Sequence, residues 1–216
     1  MARRTDERMV AIALRAPEEG ALEGVFQASE VAGPPLGSLI APPHPLYGGS
    51  MDSPVASELA WASVRAGIPA LRFNWRGVGA STGLASGDPR DADADYASAL
   101  AHLAETVPGK VVACGYSFGA AAALRAARLH PRIGRVLLVA PPGALLEPGA
   151  LRALERPTLI LTGADDRLAH AEALAVEIED APRARLEIIP DADHFFTSGL
   201  AELGRRAYAW LAQSAG

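Results

Sequence analysis

The feature that most constrains this chain runs from Val111 to Arg125. There the apolar run Val111-Val112-Ala113-Cys114 gives way to Gly115-Tyr116-Ser117-Phe118-Gly119 and then to Ala120-Ala121-Ala122-Ala123-Leu124-Arg125. The first part favours a strand and the alanine run a helix, so Ser117 falls where a strand turns sharply into a helix. Glycines two residues before and two after the serine remove Cβ atoms that would collide in so tight a reversal. The serine is then free to adopt a strained backbone with its hydroxyl exposed. Short Gly-x-Ser-x-Gly strings arise by chance in a chain with 21 glycines. The strand before this one and the helix after it are the context that makes it a nucleophile elbow.

Such a turn needs a sheet to carry it, and the composition provides for one. The chain has 216 residues, 50% hydrophobic and 21% charged, with no long polar tract dividing it, so one domain over residues 1–216 is expected. A formal net charge of −5 without a Lys/Arg-rich stripe argues against a nucleic-acid partner. The single cysteine, Cys114, excludes an intrachain disulfide and a two-cysteine metal site; in the predicted strand it reads as a small buried hydrophobe. Arg3 and Arg4 precede an apolar run, Met9 to Leu14, that is too short for a signal peptide and follows Asp6, Glu7 and Arg8. No stretch approaches membrane-spanning length. A cytoplasmic protein with no membrane partner and no metal is the expectation.

Strand and helix signals alternate along the chain. Met9–Arg15 and Ala21–Ala28, separated by Pro17-Glu18-Glu19-Gly20, suit an antiparallel hairpin at a sheet edge. Gly37–Ala41 reads as a buried strand entering the loop Pro42-Pro43-His44-Pro45-Leu46-Tyr47-Gly48-Gly49. Asp52 or Ser53 can cap a helix that begins at Pro54 and carries Val55, Leu59, Ala62 and Ala66 in one stripe. Ala70–Trp75 is the next strand. Asp91–Thr106 reads as a helix whose aspartates form a solvated start matched to the dipole, rather than a metal site. Beyond the Ser117 helix, Arg135–Ala140, Thr158–Thr162 and Arg185–Ile189 are further strands, with a helix at Ala169–Glu179 and a closing helix through Leu200, Leu203, Ala207, Trp210 and Leu211. Eight strands with helices between most of them predict an α/β fold, a mostly parallel sheet covered on both faces.

In such a sheet the chemistry belongs at the carboxyl ends of the strands. Gly163-Ala164-Asp165-Asp166 follows one late strand and Pro190-Asp191-Ala192-Asp193-His194-Phe195-Phe196 the last. A serine, then an acid, then a histidine is a known chain order for a nucleophile, its orienting carboxylate and its general base. His194 is the base by this order, whereas His102, His130 and His170 sit in or at the ends of helices. Asp166, three residues after the turn glycine, is favoured as the acid over Asp165, with Asp193 third because it abuts the base. Backbone N–H groups must meet the oxyanion: one from Phe118, and one from the loop after the third strand. Pro42, Pro43 and Pro45 have no N–H, so His44 and Leu46 are the first available donors. The alternative for this loop is a rigid proline turn with no catalytic part.

Four runs, His44–Asp52, Leu71–Gly79, Gly115–Gly119 and Ala192–Phe196, together resemble the short, lidless α/β hydrolases, neighbours of dienelactone hydrolases and small serine esterases. The resemblance extends from about Gly37 to the C-terminus. Where family members often double His-Pro in the oxyanion loop, this chain has Pro42-Pro43-His44-Pro45, and Ser53 stands where an asparagine often follows Met-Asp. Dienelactone hydrolases proper use a cysteine nucleophile; Ser117 implies a serine enzyme of a related kind. The resemblance implies an α/β-hydrolase fold and a carboxylic-ester hydrolase that uses no cofactor. The connection from Pro141 to Arg156 is too short for a cap domain, so an open site is expected, with Tyr47, Met51, Trp75, Tyr116, Leu146 and Phe195 as candidate walls. The expected substrate is a small-molecule ester or thioester, cleaved through acyl-Ser117. A peptidase or acyl-peptide hydrolase on the same residues, and a non-catalytic binding module of the same fold, are the other classes.

Overall fold

A computed structural model describes residues 7–213; Arg3 and Arg4 lie outside the described residues. Along the chain come β1 (Glu7–Ala13), β2 (Ala21–Gln27), β3 (Leu36–Ala41), α1 (Pro54–Arg65), β4 (Ala70–Phe73), α2 (Pro89–Thr106), β5 (Lys110–Tyr116) and α3 (Phe118–Leu129). They are followed by β6 (Ile133–Val139), β7 (Thr158–Gly163), α4 (Ala171–Ile178), β8 (Ala184–Ile189) and α5 (Leu200–Leu211).

The strands form one eight-stranded sheet in the order β1-β2-β4-β3-β5-β6-β7-β8. β1 and β2 form the expected antiparallel hairpin and β2 runs antiparallel to β4; every later pairing is parallel. Parallel neighbours need crossovers, and crossovers are right-handed, so the direction of winding decides which face each helix covers. From β3 the chain steps outward to β4 through α1, then back across β3 to β5 through α2, and onward through α3 and α4. α1 therefore covers one face and α2, α3 and α4 the other; α5 packs beside α1. Winding reverses between β3 and β5, which makes their carboxyl ends the place where loops diverge and a crevice opens. Both faces being covered, β3, β4 and β7 are buried along their whole length.

Local chemistry sets the helix ends. The Ser53 hydroxyl accepts from the Ala56 N–H at 3.2 Å with Pro54 in the first turn, as expected for α1. α2 starts two residues earlier than the sequence suggested, because Asp88 caps it, accepting from Arg90 N–H at 2.8 Å, and Pro89 takes the first position. The aspartates of α2 need a correction. Asp91 lies in the first turn, but Asp93 pairs with Arg125 at 2.8 Å, and Asp95, 1% exposed, accepts from the Arg76 side chain at 2.8 and 3.0 Å and from its backbone N–H at 2.9 Å. Asp95 is thus an internal ion-pair partner, and Asp91 and Asp93 are half-buried ones, bound to Arg76 and Arg125, rather than a solvated face. Arg135, buried in β6, donates to the carbonyls of Trp210, Leu211 and Gln213 and so closes the C-terminal end of α5. Among the described residues no helix is long and apolar enough to cross a membrane.

Candidate active site

Ser117 stands between β5 and α3 with φ 55° and ψ −118°, a backbone conformation that non-glycine residues rarely adopt. Three features hold it there. Its N–H donates to the Val139 carbonyl of β6 at 2.9 Å, its carbonyl accepts from Ala120, and Gly119 lets the loop after β3 close over the turn. A Cβ at Gly119 would collide with the backbone carbonyls of Ala41 and Pro42. The second glycine of the motif is thus explained by close approach of two backbones.

The Ser117 hydroxyl lies 3.0 Å from Nε2 of His194. The other ring nitrogen, Nδ1, lies 3.0 and 2.9 Å from the two carboxylate oxygens of Asp166. All three side chains are buried. The loops carrying acid and base are stitched by backbone bonds, Ala164 N–H to Ile189 and Asp165 N–H to Ala192, both 2.9 Å. The Tyr116 hydroxyl donates to the His194 carbonyl at 2.9 Å and steadies the histidine from below. Asp165 spends its backbone on that stitching and leaves its side chain exposed, and Asp193 accepts from Thr197, so neither reaches the imidazole. Asp166 is further fixed by accepting the N–H groups of Leu168 and Ala169, each at 2.8 Å. Burial alone would raise its carboxyl, but the hydrogen bonds from His194, Ala169 and Leu168 outweigh that and hold it below the usual carboxylate range. It remains ionised, able to hold Nδ1–H and leave Nε2 as the acceptor facing Ser117.

The loop after β3 is fastened at its base: the Trp75 indole N–H points at the carbonyls of Pro42 and Pro43, 3.1 and 3.0 Å away. The His44 ring lies 4.6 Å from Phe118 and 4.7 Å from Tyr47, centroid to centroid. Its Nδ1 accepts the Leu46 N–H at 3.2 Å, which places the proton of the neutral ring on Nε2, and burial lowers its pKa. This corrects the expectation for Leu46, whose N–H is already engaged. Of the proposed oxyanion donors, Phe118 at the first turn of α3 and His44 remain.

Ser117 and His194 open into a cavity of about 650 Å³. Tyr47, Tyr116 and Phe195 line it as expected; so do His44, Val55 and Leu168. Met51, Trp75 and Leu146 do not. Met51 and Trp75 are buried beneath the loop, where Trp75 acts as its fastener, and Leu146 lines a separate cavity. Val55 belongs to the α1 stripe and was indistinguishable from core by periodicity. Leu168 carries a readable signal, an apolar residue on a carboxyl-edge loop two positions past Asp166.

The model of the alpha/beta hydrolase family matches residues 44–155, more than half of the chain. The chain belongs to the alpha/beta hydrolase family. This hydrolase is 29% identical over 189 residues to an uncharacterized protein of Rickettsia prowazekii, covering 82% of this chain and 79% of that one. Among solved structures, an alpha-beta serine hydrolase homologue from Coxiella burnetii superposes with a TM-score of 0.84 at 25% identity, covering 98% and 100% of the two chains. A Xanthomonas campestris alpha/beta serine hydrolase described as lidless gives a TM-score of 0.81 at 26% identity, over 96% and 97%. The present hydrolase likewise has no cap: between β6 and β7 there is only a short helical turn, Gly143–Leu145.

Proposed function

We propose that this hydrolase cleaves small carboxylic esters or thioesters through an acyl-serine intermediate, with Ser117 as nucleophile, His194 as general base and Asp166 as its orienting acid. The observation that carries the reading is the continuous line Ser117 Oγ, His194 Nε2, His194 Nδ1, Asp166, with each step at 2.9 to 3.0 Å. As Ser117 Oγ bonds to the acyl carbon, its proton passes to His194 Nε2. The resulting imidazolium faces an Asp166 carboxylate held in its ionised form. The Phe118 N–H, helped by the positive end of α3, and the His44 N–H meet the negative oxygen of the tetrahedral adduct. His194 then gives its proton to the departing alcohol or thiol, and water repeats the sequence to release the acid.

A fluorophosphonate probe tests this directly. Wild-type protein is labelled and Ser117→Ala is not; equal labelling of both, or none of the wild type, overturns the reading. Turnover of an ester alongside refusal of the matching amide separates this function from a peptidase on the same residues.

A further inference from the structure

A second cavity, of about 310 Å³, lies beside the first, and Leu168 lines both. Its apolar walls come from the connection after β6 and from α4, as Gly143, Leu146, Pro148, Ala173 and Leu174, and its polar lining is His170 and Glu177, the latter accepting from Gly149 N–H at 3.1 Å. Leu168 is a fixed partition between the two. Its N–H is held by the Asp166 carboxylate at 2.8 Å, and its carbonyl accepts from Gly143 N–H at 3.3 Å. The residue is nevertheless 55% exposed, an apolar ridge left in the open between two hollows.

Sheet order gives the two hollows different places in the reaction. β5, which delivers Ser117, has β3 on one side and β6 then β7 on the other. Of the proposed oxyanion donors, His44 therefore stands on the β3 side with Tyr47 and Val55, and Phe118, at the start of α3, packs its ring against it. His194 and its acid stand on the β7 and β8 side. The atom that leaves must take its proton from His194 Nε2, so the leaving group departs toward Leu168.

On the reading of Ser117 as nucleophile, we propose that the second cavity is the subsite for the leaving group. The substrate class is then an ester or thioester with an acyl part seated toward Tyr47 and Val55 and an apolar alcohol or thiol arm that crosses Leu168 to rest against Leu146 and Leu174. In the step concerned, the bond from the acyl carbon to the arm's oxygen or sulfur breaks as the bond to Ser117 Oγ persists. The arm leaves carrying the proton from His194.

The test is two series of esters followed by proton release: acetates of alcohols from ethyl to octyl, and ethyl esters of acids from acetate to octanoate. In the wild type, kcat/KM in the alcohol series should rise about fourfold per methylene until the cavity is filled, the value expected of apolar burial. Ala173→Trp, on the exposed side of α4, and Gly143→Trp, where an added Cβ meets nothing within 4 Å, both place bulk in this cavity. Each should collapse the octyl-to-ethyl ratio of the alcohol series by tenfold or more, about the effect of two methylenes, while the ratio across the acid series stays put. A flat alcohol series in the wild type overturns the proposal, as does a ratio unchanged in whichever variant folds, or a collapse confined to the acid series. These results are distinct from loss of the parent reading, which would appear as no Ser117-dependent hydrolysis of any member.

Discussion

At the scale of single residues, the site depends on one carboxylate being in the right place. Asp166 and Asp165 are adjacent and chemically identical, yet only Asp166 meets the imidazole. Asp166→Asn should therefore lower kcat by about 10³ to 10⁴, the effect of losing the correct tautomer in such a triad, whereas Asp165→Asn should stay within about twofold, as surface changes do. Steady-state kinetics on one ester decides it. The same group gives a signed stability prediction. Its folded pKa is depressed, so it stabilises the fold fully above the ordinary carboxylate value of about 4, and that contribution is lost as pH falls through the lower folded value. Urea midpoints of the wild type should exceed those of Asp166→Asn at pH 7, and the gap should narrow as the pH is taken below about 4. Cys114 makes the opposite case for a nucleophile. Fully buried in β5, its thiol is pushed up to about 12, so a thiol reagent should leave the native protein unmodified and react only after denaturation.

At the scale of elements, the loop 42–49 carries the greatest demand for precision, and it is held by a residue from elsewhere. Trp75→Phe removes the indole N–H from two proline carbonyls. It should cost about 1–3 kcal/mol of stability in a denaturant titration and lower kcat more than it changes KM, because a loosened loop misplaces the His44 N–H. Trp75 also shows where sequence reasoning stopped. Strands, helices and their caps were legible because apolar runs, proline and serine caps and the glycine-framed elbow are local signals. Ser117, Asp166 and His194 were legible because chain order on a parallel sheet maps to position on its edge. Apolarity does not say which way a side chain points, so it suggests Trp75 and Met51 for the pocket when they lie beneath it. Asp95 reads as solvated because its partner, Arg76, is 19 residues away in the loop after β4.

At the scale of the whole molecule, Arg76 ties the hairpin end of the sheet to its helical cover. It bonds Asp95 and Asp91 of α2 and Glu18 in the turn between β1 and β2. Removing the buried partner, as in Asp95→Ala, should destabilise the fold by about 1–3 kcal/mol in urea unfolding, because Arg76 loses its three hydrogen bonds to that carboxylate while Asp91 and Glu18 still face its charge. The labelling of Ser117 in whatever protein remains folded should be unaffected, since the cluster lies away from the cavity.

The bond from Asp166 to the N–H groups of Leu168 and Ala169 has a consequence for how such a protein can change. The oxygen that meets His194 Nδ1, and on the proposed function aligns the base, is also the peg that holds Leu168 and Ala169 beside the cavity. A lineage that moved its acid to another strand would lose the shape of its pocket in the same event. Reactivity and selectivity are in this sense inherited together here, and a designer wishing to alter one would do better to begin at α4, where the wall can be recut while the peg stays in place.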